Sequence, residues 1–398
     1  MDFYNADLLK IYLQIKPGTY HITYILQPAK IPDDMIAIIL GTRPEIIKMS
    51  PVIRSCQKKG VDFFVLHTGQ HYSYEMDRVF FEQLGLQSPD FNLDVGSKSH
   101  AEQTGLIMSG IEKILQKEKP DVVLVQGDTN TVLAGALTAA KCHVKKNPSR
   151  PVDIGHVEAG LRSFDRSMPE EVNRIVADHL SRYLFAPTEK AREHLRAEGI
   201  PDEKIFVTGN TIVDAVFENL SLSKKRVDTI RNLGLKAGGY FLVTLHRQEN
   251  VDSRKRLKGI LSGLKRIHET TGLPLVFPVH PRTDKMITSF RLELEGFQRI
   301  KPLGFLEFLQ LESQARLTLT DSGGVQEESC ILNVPCVTIR DSTERPETVD
   351  VGANIVAGVD PVSIIDATEK MLLHSRSWKN PFGDGTAGER IVDTILQT

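Results

Sequence analysis

The sequence predicts an α/β protein built from two doubly wound parallel-sheet domains that face each other across a cleft. Short β-branched or aliphatic runs, each followed by an amphipathic helical stretch, recur from Met35 to the C-terminus. The chain has 398 residues, enough to bury two separate cores. Strands that alternate with helices and are apolar on both faces form parallel sheets with right-handed crossovers.

The first series of elements begins at Met35. An apolar run stops at Gly41, and Pro44 stands where a helix is expected to begin. The pattern predicts strands at Met35–Leu40, Val61–Leu66, Val122–Val125, Val152–Val157, Tyr183–Ala186 and Ile205–Thr208, and a helix at Thr188–Glu198. We therefore expect a first Rossmann-like domain over residues 35–206.

The second series follows a charged stretch, Leu222–Arg231, which is interpreted as a linker region. Its predicted strands are Phe241–Leu245, Leu275–Val279, Leu317–Thr320, Pro335–Ile339 and Ala353–Val356. They predict a second Rossmann-like domain over residues 207–379. The last helical stretch, Ala387–Leu396, is expected to pack back on the first domain, so residues 380–398 are assigned there.

Residues 1–34 stand outside this pattern. They contain acidic residues and several prolines, and they lack an apolar core followed by a small-residue cleavage site. We expect an appendage without a function, and a chain that starts at Met35 is expected to fold and stay active.

Composition excludes several classes of protein. The formal net charge is −2 and no Lys/Arg run is longer than three, so no basic footprint for nucleic acid is present. No stretch of about 18 apolar residues predicts membrane insertion. The four cysteines show no Cys-x-x-Cys pair. Buried free thiols in a reducing cytosol, and hence a cytoplasmic protein, are expected.

Side chains suited to binding an anion follow the first strand. Gly41 allows a ligand to approach the backbone, and the helix N-terminus behind it favours negative charge. Arg43 in this loop and Lys48 one turn into the helix are placed to reach one anionic group. A glycine turn followed by a solvated helix face is the alternative. The segment is not Gly-x-Gly-x-x-Gly, which disfavours a nicotinamide cofactor.

Three carboxylates are candidates for proton transfer. Asp128 and Glu158 end predicted buried strands, and Glu170 follows in Met168-Pro169-Glu170-Glu171. Taken alone, Asp128 is interpreted as a cap of the helix that follows it. Carboxylates that converge on one cleft are more typical of proton-transfer or hydroxyl-binding groups.

The second series carries residues suited to a nucleotide. His246 beside Arg247 is suited to a diphosphate, since both donate to oxyanions; the alternative is a capping loop with a surface histidine. The segment Val279–Arg282 is a weaker signal and is also typical of a turn. Ser322, Gly323 and Gly324 precede a helix and form a phosphate nest. Glu328, one helical turn further on, is placed to accept from ribose hydroxyls.

The ordered motifs resemble those of the non-hydrolysing UDP-N-acetylglucosamine 2-epimerases. The resemblance runs from Met35 to the C-terminus and leaves out residues 1–34. The motifs are Gly-Thr-Arg-Pro-Glu (41–45), Gly-Asp-Thr (127–129), His-Val-Glu-Ala-Gly-Leu-Arg (156–162), Pro-Glu-Glu-x-Asn-Arg (169–174), Asp-Ser-Gly-Gly-Val-Gln-Glu-Glu (321–328) and Thr-Glu-Arg-Pro-Glu (343–347).

The resemblance implies a GT-B fold and the interconversion of UDP-N-acetylglucosamine and UDP-N-acetylmannosamine. Members of this family eliminate UDP across carbons 1 and 2, retain a 2-acetamidoglucal and add UDP back with the proton on the opposite face. They need neither metal nor nicotinamide, and a homodimer is expected. By motif, Arg43, Lys48, His246 and Arg345 would hold the diphosphate, Asp128, Glu158 and Glu170 would be acid–base groups, Ser322, Gly323 and Gly324 would bind phosphate, Glu328 the ribose, and Phe308 would lie near the uracil.

Two departures from the family pattern matter. The segment between Glu158 and Glu170 is shorter than in many bacterial members, which makes Glu170 the least secure of the three carboxylates. Many bacterial members are activated by a second substrate molecule, and the segment 70–73 matches that regulatory motif only in part.

Several alternatives stay open. A sister family acting on UDP-2,3-diacetamido-glucuronic acid shares the segments 67–71 and 245–247, although residues 343–347 favour the N-acetylglucosamine enzymes. A hydrolysing epimerase, a GT-B glycosyltransferase that needs an acceptor, and a non-catalytic nucleotide-sugar sensor are the further alternatives.

Overall fold

The computed structural model describes residues 35–70, 74–144 and 151–397, which form two parallel sheets flanked by helices. The strands are β1 Ile36–Leu40, β2 Phe63–His67, β3 Phe91–Asn92, β4 Val122–Gln126, β5 Asp153–Val157, β6 Tyr183–Ala186, β7 Ile205–Val207, β8 Phe241–Thr244, β9 Leu275–Pro278, β10 Phe297–Ile300, β11 Leu317–Thr320, β12 Cys336–Thr338 and β13 Asn354–Val356. The helices are α1 Arg43–Lys59, α2 Tyr74–Gln83, α3 His100–Glu118, α4 Asn130–Lys141, α5 Pro169–Leu180, α6 Glu189–Ala197, α7 Thr211–Arg226, α8 Thr229–Asn232, α9 Gln248–Val251, α10 Arg254–Thr271, α11 Pro281–Phe290, α12 Phe305–Ser313, α13 Gly323–Ile331, α14 Pro346–Asp350, α15 Pro361–Leu373 and α16 Ala387–Gln397, with a 3-10 turn at Asp202–Lys204.

Both sheets have the doubly wound strand order. The first runs β3-β2-β1-β4-β5-β6-β7 and the second β10-β9-β8-β11-β12-β13, with parallel pairing throughout. The order reverses between β1 and β4 in the first sheet and between β8 and β11 in the second. Ligands of such sheets bind at the carboxyl ends of the strands beside this switch point. The predicted fold class of two Rossmann-like halves is confirmed.

The central strands are apolar because helices cover both faces of each sheet. All five residues of Ile36–Leu40 are buried, as are all five of Val122–Gln126. Their alternate side chains enter two different clusters, one on each face of the first sheet. Burial of this kind removes roughly 1.5–3 kcal/mol of unfavourable hydration per large aliphatic side chain.

Helix α16 returns from the second sheet to the first. Ile391, Val392 and Ile395 enter the same cluster as β1 and α1. A Cβ on Gly388 would lie 2.8 Å from the main chain of Pro51, so only glycine allows α1 and α16 to approach this closely. The Gly388 amide donates to Asp214 Oδ1 of α7 at 2.9 Å, which ties the two crossing segments together.

Two features differ from the sequence prediction. The charged stretch Leu222–Arg231 is not a linker: α7 continues to Arg226, and α8 follows two residues later. Ser223 is buried and donates to the Leu306 carbonyl, and three cationic residues in the last turn favour the helix dipole. The short edge strands β3 and β10 were not predicted, because neither carries an uninterrupted apolar run.

Within the described residues, no helix combines the length and apolar composition needed to cross a bilayer. The four cysteines, Cys56, Cys142, Cys330 and Cys336, are all buried and free, as expected. The expected appendage, residues 1–34, and residues 71–73 of the partial regulatory motif lie outside the described residues.

Candidate active site

The sequence motifs meet at the carboxyl ends of the strands that flank the two switch points. The loops after β1, β4 and β5 come from the first sheet, and those after β8, β11 and β12 from the second. A pocket between the sheets is lined by Leu161, Pro187, Thr188, Asn210, Glu327, Glu344, Arg345, Glu347 and Phe382. The predicted cleft is therefore present, and residues of both sheets line it.

The loop after β1 is closed by a buried carboxylate. Glu45 accepts from the Gly41 amide at 2.8 Å, from Thr42 Oγ1 at 2.9 Å and from Thr129 Oγ1 at 2.7 Å. Burial raises the pKa of Glu45 to about 7 despite these donors. A Cβ on Gly41 would lie 2.1 Å from Thr68 Oγ1, so the tight turn requires glycine. The loop after β4 is thus bonded to the loop after β1.

Arg43 and Lys48 lie on α1 as the sequence predicts. Arg43 is the first residue of the helix, and its guanidinium carbon lies 5.7 Å from the centre of the Phe80 ring. Lys48 is largely buried, and its ammonium donates to Glu158 Oε1 at 2.5 Å. Burial lowers the pKa of Lys48, but Glu158 and Glu327 reverse that effect and raise it above its usual value.

Glu158 has a backbone conformation that non-glycine residues rarely adopt. Its φ is 73°, and its amide and that of Ala159 both donate to the Phe185 carbonyl at 3.1 Å. This turn directs the Glu158 side chain away from the strand axis and towards α1. Left-handed backbone of this kind costs about 1–3 kcal/mol and persists only where the surroundings enforce it.

Three groups hold the Glu158 carboxylate. Besides Lys48, Gln126 Nε2 donates at 2.5 Å and Asn210 Nδ2 at 3.2 Å. Burial alone raises the pKa of Glu158, but the charges of Lys48 and Arg345 outweigh burial and lower it below its usual value. Glu158 is therefore ionised at neutral pH although it is buried, which suits a general base.

Arg345 supplies the second cation from the opposite sheet. It precedes α14, and its Nε lies 2.8 Å from Glu327 Oε1 of α13. Its positive charge acts on both Lys48 and Glu158 of the first sheet. Cations and carboxylates thus alternate across the cleft, so charge in either half influences the other half.

Asp128 does not cap helix α4, contrary to the interpretation of this residue on its own. Thr129 caps α4, since its Oγ1 accepts from the Val132 amide. Asp128 instead accepts from Arg174 Nη2 of α5 at 2.5 Å, and 31% of its side chain is exposed. The capping interpretation was wrong because the cap of α4 is the next residue, Thr129. An exposed, oriented carboxylate at the switch point is free to act on a ligand.

Glu170 makes the fewest contacts within the chain of the three candidate carboxylates. It lies exposed in the first turn of α5 and makes no hydrogen bond or ion pair with a described residue. Its neighbour Glu171 is buried and accepts from the amides of Ser163 and Phe164. The second glutamate of the motif therefore supports the loop, and only the first is accessible to a ligand.

His246 is positioned by a buried aspartate. Asp321 is fully buried and accepts from the amides of His246 at 3.0 Å and of Arg247 at 3.0 Å. The His246 ring remains 40% exposed, with Nδ1 3.4 Å from Asp321 Oδ1. Burial lowers the pKa of His246, and the Arg247 charge adds to this effect, so the ring is neutral at pH 7. His280 caps α11 and its ring accepts from the Arg282 amide, so the segment Val279–Arg282 is the beginning of a helix.

The N-terminus of α13 has an unused hydroxyl and open backbone. Ser322 holds the cap position without a side-chain cap bond. A Cβ on Gly323 would meet no atom closer than 3.7 Å, and one on Gly324 none closer than 4.0 Å. Packing within the chain therefore does not require these two glycines. Gly323 is buried and Gly324 is exposed, so an anion can approach the helix N-terminus at Gly324, where the helix dipole favours it.

Glu328 and Phe308 lie near this helix on the second sheet. Glu328 is half-buried, and burial raises its pKa to about 7. Phe308 is half-buried on α12 and packs on a cluster that includes Tyr240 and Leu311. Of the predicted site residues, Lys48, Glu158 and Arg345 are brought into one network, whereas Glu170 and Phe308 are not part of it.

Several residues of the site were not predicted. Asn210, which donates to Glu158, lies shortly after the end of β7, so it too belongs to a loop at the carboxyl end of a strand. Arg174, the partner of Asp128, lies within a recognised motif without an assigned role. Glu312, buried beside Glu328, has no signal in the sequence. Among the described residues, no three His, Cys, Asp or Glu side chains cluster as metal ligands.

Comparisons with known proteins agree with this geometry. Residues 54–396 match the family model described as UDP-N-acetylglucosamine 2-epimerase. The chain is 56% identical over 364 residues to the UDP-N-acetylglucosamine 2-epimerase of Methanocaldococcus jannaschii, covering 90% of this chain and 97% of that protein. It is 40% identical to the UDP-2,3-diacetamido-2,3-dideoxy-D-glucuronate 2-epimerase of Pseudomonas aeruginosa, covering 91% and 99%.

A solved structure extends the likeness to three dimensions. It is the Methanocaldococcus jannaschii enzyme in complex with UDP-GlcNAc and UDP, with a TM-score of 0.79 and 54% identity, covering 92% of this chain and 100% of that one. Coverage of this extent includes both sheets and the cleft between them, and the arrangement is the GT-B fold. The chain belongs to the UDP-N-acetylglucosamine 2-epimerase family.

Proposed function

We propose that this chain interconverts UDP-N-acetylglucosamine and UDP-N-acetylmannosamine by eliminating UDP and adding it back. The observation that carries the proposal is the ionised Glu158 carboxylate, buried between Lys48 and Arg345. A base beside two cations suits a reaction in which a proton leaves carbon 2 while negative charge develops on a departing diphosphate.

A carboxylate takes the proton from carbon 2, the C–H electron pair forms the carbon 1–carbon 2 double bond, and UDP leaves with the anomeric C–O pair. Re-addition of UDP to the bound glucal, with protonation of carbon 2 from the opposite face, gives the epimer. Two faces need two proton-transfer groups, and Asp128, Glu158 and Glu170 are the candidates.

The second sheet is proposed to hold the nucleotide. Ser322, Gly323 and Gly324 present an accessible helix N-terminus to phosphate, and Glu328 accepts from the ribose. His246 and Arg345 donate to the diphosphate from one side of the cleft, and Arg43 and Lys48 do so from the other. Phe308 is proposed to lie near the uracil.

Two further assignments accompany the proposal. The proposed domain division is 35–206 with 380–398, and 207–379. The two separate sheets and the packing of α16 support it, and β7 of the first sheet ends one residue past the boundary, at Val207. A cytoplasmic homodimer is proposed from the family resemblance, the UDP-sugar substrate and the four free thiols. Light scattering on the pure protein measures the oligomeric state directly.

One experiment tests the reaction. The pure protein is incubated with UDP-N-acetylglucosamine alone in deuterated water and followed by proton NMR. We expect UDP-N-acetylmannosamine to appear, deuterium to enter carbon 2, and no requirement for metal, nicotinamide or an acceptor. Stoichiometric free UDP with free N-acetylmannosamine indicates a hydrolysing enzyme, and turnover only with an added acceptor indicates a transferase.

The second candidate substrate is UDP-2,3-diacetamido-glucuronic acid, favoured by the 40% identity with the Pseudomonas aeruginosa enzyme. It carries a carboxylate on the sugar and therefore requires an additional cation. The same NMR experiment with this nucleotide sugar separates the two, since the better substrate shows the higher kcat/KM.

A further inference from the structure

Glu312 is a fully buried acid that has no role in the proposed reaction. It lies on α12 beside α13 and has no exposed surface. One carboxylate oxygen accepts from Ser329 Oγ at 2.8 Å. The other, Oε2, is buried and receives no hydrogen bond from a donor group. The carboxyl of Glu328, the residue before Ser329 on α13, lies near enough for the two acids to shift the pKa values of each other.

No cation compensates Glu312 among the described residues. The polar side chains around Glu312 are those of Glu328 and Ser329 from α13, Tyr240, which precedes β8, and Cys336 from β12. The charges that face Glu328 are Glu327 on its own helix and Lys48 across the cleft, and Lys48 is already paired with Glu158. Two adjacent ionised carboxylates in such a place would carry a large desolvation and repulsion penalty.

One retained proton removes that penalty. Burial and the neighbouring Glu328 raise the pKa of Glu312 well above its usual value, whereas the hydrogen bond from Glu312 lowers the pKa of Glu328 against the effect of burial. The two effects have the signs expected when Glu312 is the donor and Glu328 the acceptor.

We propose that Glu312 and Glu328 share one proton, that Glu312 donates it to orient the Glu328 carboxylate, and that binding of a nucleoside diphosphate depends on this proton. The proposal rests on the proposed role of Glu328 as acceptor for the ribose hydroxyls. With one oxygen of Glu328 held by Glu312, its remaining lone pairs would be left to accept from the ribose hydroxyls. Loss of the proton would place two negative charges side by side and turn Glu328 away from the ribose. Glu312 is thus a positioning residue.

The test is the pH dependence of UDP affinity, measured by calorimetry from pH 7 to 9 on wild type and on Glu312→Gln. UDP is about nine-tenths ionised at pH 7 and almost completely ionised by pH 8, since the last phosphate pKa is about 6, so its own titration cannot weaken binding as the pH rises. In wild type the Kd should rise, approaching about tenfold per pH unit above the pKa of the pair. Glu312→Gln keeps a permanent N–H donor, so its Kd should stay within about threefold of wild type at pH 7 and should not rise with pH.

Ser329→Ala is the matched control. It removes the other hydrogen bond to Glu312 but leaves the shared proton, so the alkaline loss of affinity should persist. A pH profile of Glu312→Gln that parallels wild type, or a flat wild-type profile, overturns the proposal.

A second measurement uses the infrared difference spectrum between wild type and Glu312→Gln, because the buried Glu45, with a pKa of about 7, contributes a protonated carboxyl band to both proteins. The difference spectrum of the ligand-free proteins should show the carbonyl stretch of a protonated carboxylic acid at pH 7, and this band should disappear over the pH range in which UDP affinity falls. Absence of the band at pH 7 contradicts the shared proton even if the protein epimerises its substrate. A band that is present while no product forms contradicts the proposed function alone.

Discussion

At the scale of single residues, Glu158 combines three costs in one position. Its backbone is left-handed, its carboxylate is buried, and it carries a charge there. Lys48, Gln126 and Asn210 together compensate the charge. Residues held in this way are found where function needs a fixed orientation, because strain without benefit is removed by mutation.

The corresponding prediction concerns Glu158→Gln. The amide is nearly isosteric and keeps the turn, but it cannot take a proton, so turnover should fall by roughly 100-fold or more. UDP affinity should not weaken, because removing a negative charge beside Lys48 and Arg345 leaves more positive charge for the diphosphate. Steady-state rates and UDP calorimetry measure the two quantities.

Asp128→Asn is the companion variant, since Asp128 is a more exposed carboxylate on the same sheet edge. It too should lose turnover with little change in UDP affinity. If both variants keep near-normal rates, the two carboxylates only balance Lys48 and Arg174, and the assignment of proton transfer to them fails.

At the scale of elements, the strands of the site end in loops in which glycine has more than one role. The loops after β1 and β11 both contain glycine, for different reasons. Gly41 has no room for a Cβ because Thr68 and Thr131 surround it, whereas Gly324 is exposed and has ample room. A structural glycine and a ligand-binding glycine can therefore be told apart by one substitution at each.

Gly41→Ala should destabilise the fold by about 1–3 kcal/mol, since its Cβ would overlap two hydroxyl oxygens. Gly324→Ala should leave the unfolding free energy within about 0.5 kcal/mol of wild type. The same Gly324 variant should weaken UDP binding, because its methyl group obstructs phosphate at the helix N-terminus. Urea unfolding and UDP calorimetry distinguish the pair. Unchanged UDP affinity in Gly324→Ala would show that phosphate does not bind there.

Much of this architecture was predictable from sequence because parallel strands and their terminal loops are local patterns. Strands such as Tyr183–Ala186 and Leu317–Thr320 were predicted with the observed bounds, and the residues after them reach the cleft. Partnerships between distant elements were not predictable. Arg174 lies 46 positions from Asp128, and nothing local indicates their contact.

Glu312 shows the same limit more sharply. A glutamate within an amphipathic helix is normally solvated. Only the packing of α12 against α13 places it beside Ser329 and Glu328 and buries it. The error at Leu222–Arg231 has a related origin: charged residues suggested a linker, whereas the exposed face of a helix carries them.

At the scale of the whole molecule, the chain crosses between the two sheets twice. It leaves the first sheet through α7 and returns through the segment before α16. The two crossings are joined where the Gly388 amide donates to Asp214. A relative movement of the two halves must be accommodated in this region, because both crossings of the chain lie there.

The contribution of α16 is testable with a core substitution. Ile391 is fully buried in the cluster of the first sheet, so Ile391→Ala should lower the unfolding free energy by about 2–5 kcal/mol. Val362→Ala is the control, since Val362 is 63% exposed and its truncation should change stability by less than about 0.5 kcal/mol. Equal urea midpoints for the two variants would mean that α16 does not pack on the first sheet in solution.

The return of α16 also has a consequence for synthesis on the ribosome. Domains near the start of a chain usually fold while the remainder is still being translated, at about 5–20 residues per second. Here the apolar surface around β1 and α1 is completed only by Ile391, Val392 and Ile395, which follow the whole second sheet along the chain. Part of the core of the first half therefore stays uncovered until the second half has also been translated.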